Sequence, residues 1–370
     1  MCDEVFLMPA FIPGLELSRL FFIEAVKPIL DARFPALRYD AALIGAGSEV
    51  LGFDTERSTD HHWGCRVFLF FSDADHAPLI DTALRQNLPF RFRDYPTSMK
   101  VAPGEPHVRL FDPDKTEGEV DHLITITTIR DFMRGALAWD INTPLEPIDW
   151  LTFPQQRLRA LTAGGVWHSG LGELEPIRSR LAYFPHDVWL YLLAAGWARI
   201  GQEEPFVGRC GDVGDDLGSQ VIAARLARDV MMLCFLMERV YAPYPKWFGT
   251  AFARLRAAQS LTPILSTVIK AADWHEREAA LAQAYHILAE MHNALKLTDP
   301  MQTHVSSFHG RPYQVIHGEQ FADALIACIT DPEVQRIAAR TRMGSIDQLS
   351  DSTDFRDNLS NREAIRALYA

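Results

Sequence analysis

The sequence has few cysteines and no long apolar run. Its five cysteines are an odd number, are widely spaced and include no CxxC pair, so neither a disulfide framework nor a zinc cluster is indicated. Buried free thiols are the expected state. No run of about 18 apolar residues suggests a membrane span, and residues 1–14 lack the basic start and apolar core of a secretory signal. We therefore expect a cytoplasmic protein that does not bind membranes.

Positive charge is also scarce. The chain of 370 residues has 36 Lys and Arg against 48 Asp and Glu, which gives a formal net charge of −12. Phosphate contacts along a nucleic acid need a basic surface, so this balance argues against general nucleic-acid binding but leaves room for a local nucleotide site. No GxSxG motif or Walker loop is present, so the sequence gives no support to a hydrolase or a P-loop protein.

The order of apolar patterns divides the chain into two domains. Strands and helices are mixed up to about residue 145, which predicts an α/β (α+β) domain with a mixed sheet. After the segment NTPLEPIDW, helical spacing dominates, so we expect an all-helical C-terminal domain. The domains are therefore placed at 1–145 and 146–370. The main predicted elements of the first domain are a helix over 17–37 with a kink at Pro28, strands over 39–44, 66–71 and 122–129, and helices over 77–86 and 130–139.

Residues 42–71 hold the pattern most typical of a reactive site. An apolar run meets the turn Gly-Ala-Gly-Ser at 45–48, and Asp60-His61-His62 precedes the next apolar run. Nucleotidyl transfer needs backbone N–H groups and a hydroxyl near a triphosphate tail, and it needs carboxylates that hold magnesium. Gly47 and Ser48 are suited to the first task, and Asp60 is suited to the second.

Other interpretations of these residues remain open. The glycines could form an ordinary tight turn. A dinucleotide-binding fingerprint fails, because its third glycine falls on Val50. Asp60 could simply cap or pair at the start of a strand. Adjacent residues on a strand point to opposite faces, so His62, on the face of Asp60, is the candidate ligand and His61 is expected to be structural.

The spacing of these residues resembles a known signature. Eleven residues separate Ser48 from Asp60, which is similar to the Gly-Ser, then Asp-x-Asp, pattern of the polymerase-beta-like nucleotidyltransferase superfamily. The chain as a whole resembles an uncharacterised bacterial nucleotidyltransferase-like family, domain of unknown function 4037, which is distantly similar to aminoglycoside nucleotidyltransferases. The resemblance implies an N-terminal nucleotidyltransferase domain followed by a helical domain. The stretches that carry it are GSEVLGFDTERSTDHHWG, WLYLLAAGWARIGQEEPFVGRCGDVGDDLGS, YAPYPKWFGTAFARL and GSIDQLSDSTD.

The chain departs from the superfamily pattern at two of its three carboxylates. The second aspartate falls on His62, and the third, expected on the later strand HLITITTI, falls on Thr125. Imidazole is a poor ligand for Mg²⁺, which prefers oxygen, but it suits Mn²⁺, Zn²⁺ or general-base chemistry. Carboxylates of neighbouring loops could replace the missing ones. These are Asp54, Glu56, Glu119 and Asp121.

A glycine-rich loop adds candidates in the helical domain. The loop EPFVGRCGDVGDDLGS combines an arginine with several aspartates, and polar loops of this kind often line a site. Asp215 or Ser219 could instead cap the following helix. Lys246, beside Trp247, could contact phosphate or stack on a base, or the pair could form an aromatic wedge between helices. The predicted binding residues of this domain are Arg209, Asp212, Asp216 and Lys246.

Together these residues predict a nucleotidyltransferase-like protein that transfers a nucleoside monophosphate from a nucleoside triphosphate to an unknown small-molecule or macromolecular acceptor. Gly47 and Ser48 are predicted to hold the triphosphate tail. Asp60 and His62 are predicted to act in catalysis and to bind Mg²⁺ or Mn²⁺. The alternative is a catalytically inactive nucleotide-binding or regulatory protein in which the turn persists and the metal site has degenerated, and His62 and Thr125 favour it.

Overall fold

The structure is a computed structural model that describes residues 10–370. Among these residues, no α-helix combines the length and the apolar character needed to span a bilayer. The strands are Asp40–Leu43 (β1), Arg66–Phe71 (β2), Arg91–Phe92 (β3), Tyr95–Pro96 (β4), Met99–Ala102 (β5), Glu105–Phe111 (β6), Leu123–Thr128 (β7), Gly165–Ser169 (β8), Ser306–Phe308 (β9) and Arg311–Val315 (β10). The helices are Gly14–Phe21 (α1), Lys27–Arg33 (α2), Ala77–Asn87 (α3), Ile129–Leu137 (α4), Pro147–Thr152 (α5), Gln155–Thr162 (α6), Leu174–Arg180 (α7), His186–Glu203 (α8), Phe206–Asp212 (α9), Asp216–Met237 (α10), Phe248–Phe252 (α11), Ala258–Lys270 (α12), Trp274–Leu295 (α13), Gly318–Ala327 (α14), Pro332–Arg340 (α15), Ile346–Leu349 (α16), Thr353–Asp357 (α17) and Arg362–Ala367 (α18).

The chain divides into two units. Over the described residues, the first unit comprises 10–144 and Arg157–Ala182, and the second comprises Leu145–Gln156 and Tyr183–Ala370. The first unit is mixed α/β and the second is mostly helical.

A four-stranded mixed sheet forms the centre of the first unit. Its strand order is β7-β2-β1-β8, in which β1 is antiparallel to both of its neighbours and β2 is parallel to β7. Alternate residues of β2 face opposite sides of the sheet. Leu69 belongs to the cluster formed with α1 and α3, whereas Phe68 and Phe70 pack on the Phe132 ring of α4, at 5.1 and 5.3 Å between ring centroids. The sheet is therefore covered on both faces.

The first predicted helix is interrupted. The helix starts at Gly14, and a π-helical segment, Phe22–Val26, separates α1 from α2. Pro28 lies in the first turn of α2, where it has no amide hydrogen to donate to the carbonyl four residues earlier. The proline therefore accounts for the break that its position in the sequence predicts.

The prediction of an all-helical C-terminal domain needs two corrections. Strands β9 and β10 form an antiparallel hairpin around His309 and Gly310, whose φ angles are +49° and +75°. Such angles are typical of a tight hairpin turn, and the signal in the sequence is the pair His-Gly followed by the alternation Tyr-Gln-Val at 313–315.

The second correction concerns residues 157–182, which return to the first unit. The carboxylate of Asp40 in β1 accepts backbone N–H groups from Leu171, Gly172 and Leu174, at 2.8, 3.3 and 3.2 Å. These contacts hold the segment after β8 against β1. They join residues more than 130 positions apart, which is why local periodicity did not indicate them.

The second unit is organised around α8, which packs against α10 and α14. A buried carboxylate stabilises the start of α14. Glu204 accepts hydrogen bonds from the backbone N–H groups of Ile316 and Gly318, at 2.6 and 3.1 Å. Burial raises the pKa of Glu204 to about 7, although its backbone donors oppose the shift. Free thiols are found at Cys65, Cys210, Cys234 and Cys328, and Cys2 lies outside the described residues.

Gly164 lies just before β8, where β8 and β1 approach each other closely. Its substitution tests this contact. A Cβ atom at this position would lie 2.0 Å from the Leu43 carbonyl oxygen, and φ is +71°. Gly172 has a similar φ of +77° with open space around it. We expect Gly172→Ala to lower the free energy of unfolding by about 1 kcal/mol and Gly164→Ala by about 3 kcal/mol, measured by urea denaturation. Equal losses would contradict the close contact.

Glu204 gives the second unit a pH-dependent stability. Because its folded pKa is raised above 4.5, its favourable contribution is complete below pH 4.5 and is lost as pH rises through about 7. Relative to Glu204→Gln, the wild type should lose about 2–3 kcal/mol between pH 5 and pH 8. Chemical denaturation of both proteins at the two pH values measures this difference. A constant difference would show that the carboxyl group does not titrate in this range.

Candidate functional site

The Gly-Ser turn follows β1 and requires glycine at position 47. Gly47 has a φ of +146°, and a Cβ atom there would lie 2.6 Å from a carboxylate oxygen of Glu49. Ser48 is half-buried, and its hydroxyl has no hydrogen-bond partner within residues 10–370. The turn therefore presents an uncommitted hydroxyl next to a glycine that brings the backbone close to the surface.

A buried ion pair joins this turn to β2. Glu49 is 3% exposed, and its carboxylate pairs with the guanidinium of Arg66, the first residue of β2. The same guanidinium donates to the carbonyl of Ala46 in the turn and to the carbonyl of His62, both at 3.1 Å. The structure thus brings the Gly-Ser turn and the loop that carries Asp60 and His62 to one arginine.

Asp54 has a structural role through one of its carboxylate oxygens. One of its carboxylate oxygens accepts the backbone N–H of Gly14 at 2.6 Å and the indole N–H of Trp63 at 3.1 Å. The Trp63 side chain is buried in the core of the first unit. The predicted substitute carboxylate is therefore committed to holding α1 and Trp63 together.

Asp60 and His62 do not lie on a strand, contrary to the reasoning that gave them a common face. Residues Glu56–Asp60 form a 3₁₀ helix, and β2 begins six residues after Asp60. The Asp60 side chain is 66% exposed, and its carboxylate contacts the backbone N–H and the imidazole Nδ1 of His61, each at 3.0 Å. His62 has a φ of +50°, and its backbone N–H donates to the carbonyl of Arg109 at 2.9 Å.

The surroundings of His62 are cationic. Burial lowers the pKa of the imidazole, and the positive charges of His61, Arg66 and Arg109 lower it further, while the carbonyl of His107 opposes them by accepting a hydrogen bond. Within the described residues, the exposed guanidinium of Arg109 has no carboxylate partner. A field of this sign suits an anion better than a metal ion.

The donor groups do not fit a two-magnesium site. Thr125 on β7 pairs with Phe68 of β2, so a hydroxyl stands on the strand where the superfamily pattern has its third carboxylate. Asp121 is paired with Arg85 at 2.5 Å. Across residues 10–370, no three side chains of His, Cys, Asp or Glu form a group able to hold a metal ion. Mg²⁺ prefers several oxygen ligands in octahedral geometry, which this set does not supply.

The predicted residues of the helical region make contacts within the second unit. Asp212 accepts a hydrogen bond from the Tyr313 hydroxyl at 3.1 Å, and Asp216 pairs with the fully buried Arg277 at 3.2 Å. Asp215 caps α10, as the structural interpretation expected. The other two predicted residues make cation–π contacts. Arg209 lies 5.4 Å from the ring centroid of Phe206, and Lys246 lies 4.4 Å from the ring centroid of Trp247.

Sequence reasoning missed three residues of the site. Glu49, Arg66 and Arg109 supply its charges, but none belongs to the Gly-Ser or Asp-x-Asp positions. A weak signal was present, because Glu49 directly follows the turn and Arg66 opens an otherwise apolar strand. A charged residue at the edge of an apolar run suggests a buried pair when a partner of opposite sign lies nearby.

Fold and site together describe a mixed α/β protein with a small mixed sheet, a helical C-terminal region and a glycine turn held by a half-buried arginine. Residues 150–248 match the model of a family described as a domain of unknown function (DUF4037). This match supports the family resemblance over that range. No curated protein and no solved structure matches the chain.

The pair of Glu49 and Arg66 predicts a strong energetic coupling. Glu49→Ala should lower the free energy of unfolding by about 3–5 kcal/mol, because it leaves a largely buried guanidinium unpaired. The loss in the double variant with Arg66→Ala should be smaller than the sum of the two single losses by about 1–3 kcal/mol in urea denaturation. Glu56→Ala removes an exposed carboxylate nearby and serves as the control. Additive losses would contradict the coupling.

Proposed function

We propose that the first unit binds the triphosphate tail of a nucleoside triphosphate at the Gly47–Ser48 turn. The observation that carries this proposal is the contact of Arg66 with both Ala46 and His62, which holds the turn and the neighbouring loop in one place. The free Ser48 hydroxyl and the adjacent backbone can approach phosphate oxygens from this turn.

The geometry favours nucleotide binding over nucleotidyl transfer. Transfer in the superfamily pattern uses carboxylates to hold metal ions, and only Asp60 of that set is present and exposed. His62 and Thr125 occupy the other two positions, and the charges around His62 are positive. We therefore propose a nucleotide-binding or regulatory protein as the leading function.

Metal-dependent transfer to an acceptor is the second candidate. The exposed carboxylate of Asp60 favours it, because one of its oxygens contacts His61 and the other can bind a divalent ion such as Mn²⁺. When bound, such an ion would polarise the phosphate that is attacked. The chain's own contribution would be to position the tail through Gly47 and Ser48.

Calorimetric titration with ATP and with GTP tests the binding. Ser48→Ala removes one hydroxyl from a half-buried position, so we expect about five- to ten-fold weaker binding with little change in stability. Gly47→Ala should weaken binding more strongly, because its Cβ would displace the Glu49 carboxylate from Arg66. Gly104→Ala is the matched control, with a φ of +80° and open space. Failure of the wild type to bind either nucleotide would refute the proposal.

Release of pyrophosphate distinguishes the two candidates. We expect the wild type to bind radiolabelled ATP or GTP without releasing pyrophosphate, with Mg²⁺ or Mn²⁺ present and cell metabolites supplied as acceptors. Release that depends on Mn²⁺ and is abolished in Asp60→Ala would instead establish the transfer activity. Asp75→Ala, which alters a carboxylate before α3, is the control for that variant.

A further inference from the structure

Strand β6 runs beside the loop that carries Asp60 and His62. The hydrogen bond from His62 N–H to the Arg109 carbonyl joins the loop to this strand. The backbone of His62 is therefore held by this strand, and Arg109 is the residue that holds it.

Four positively charged or protonatable side chains meet at this point. The ring centroids of His61 and His62 are 5.7 Å apart, and the charges that act most on His62 come from His61, Arg66 and Arg109. Arg66 is already neutralised by the buried Glu49. Arg109 is exposed and has no ion pair within the described part of the chain, so its charge remains available.

Among the described residues, no nearby carboxylate pairs with the Arg109 guanidinium. Glu49 is committed to Arg66, and Asp54 accepts hydrogen bonds from Gly14 and Trp63. Asp60 contacts His61. An arginine with five donors and no carboxylate partner is well suited to bind phosphate oxygens in pairs.

We propose that Arg109, together with His61 and His62, binds the triphosphate tail in place of divalent metal ions. This inference rests on the proposed function, because it assigns the groups that neutralise the tail bound at Gly47 and Ser48. A divalent ion placed beside His62 would be repelled by the guanidinium of Arg109, which has no ion pair among the described residues. A polyphosphate in the same place would be attracted by it.

The test compares ATP and inorganic tripolyphosphate as ligands of the full chain, in EDTA and in Mg²⁺. We expect both ligands to bind in EDTA, because the protein supplies the positive charge. Arg109→Gln should weaken binding in EDTA about 10- to 100-fold, the equivalent of one charge-assisted hydrogen bond. Its side chain is exposed, so the fold should persist, which circular dichroism verifies. Arg340→Gln, at the end of α15, makes the same change of net charge and should bind like the wild type.

The possible results of this experiment distinguish failure of this inference from failure of the proposed function. ATP binding that requires Mg²⁺ would overturn the cationic site and leave nucleotide binding intact. Equal ATP affinity in Arg109→Gln and in the wild type would overturn it as well. Absence of ATP binding under both conditions would remove both proposals. Retained binding of tripolyphosphate in EDTA, lost in Arg109→Gln and kept in Arg340→Gln, would support the assignment to the phosphate tail.

Discussion

The buried ion pair between Glu49 and Arg66 is the interaction on which the candidate site depends. Moving two charges out of water is costly, and the cost is offset only when their hydrogen bonds are satisfied. Arg66 meets this requirement by donating to Glu49 and to two backbone carbonyls. Because the paired residues are 17 positions apart, the ion pair closes the loop between the turn and β2. The positions of Ser48 and His62 follow from this closure.

Much of the first unit could be predicted from local sequence patterns. The strand expected over 66–71 is found at Arg66–Phe71, and the one expected over 122–129 is found at Leu123–Thr128. The helix expected over 77–86 is found at Ala77–Asn87. Apolar periodicity predicts these elements because each one is buried along its own length. The buried residues of each element therefore recur at regular intervals in the sequence.

The rest of the fold depends on contacts between residues far apart in the chain. Such contacts produce no periodic pattern in the local sequence. The carboxylate of Asp40 binds backbone groups beyond β8, and this pairing returns residues 157–182 to the first sheet. The apolar run after Asp60 predicts that this residue lies at the start of a strand. The structure instead has a 3₁₀ helix there, capped by reciprocal contacts of Thr55 and Ser58. Polar residues that bond to nearby backbone compete with strand formation, and the apolar run alone does not reveal that competition.

Local charge, rather than net charge, determines which ligand suits the turn. The chain as a whole is strongly acidic, at −12, but salt at physiological strength screens exposed charges beyond about 8 Å. An anion beside His62 would therefore respond mainly to the charge of Arg109, with the adjacent imidazoles as hydrogen-bond donors. One arginine and two histidines cover only a few phosphate oxygens, whereas a nucleic-acid backbone needs many cations along its length. We infer that the site is matched to a short polyanion, and that the acidic remainder of the surface disfavours a long one.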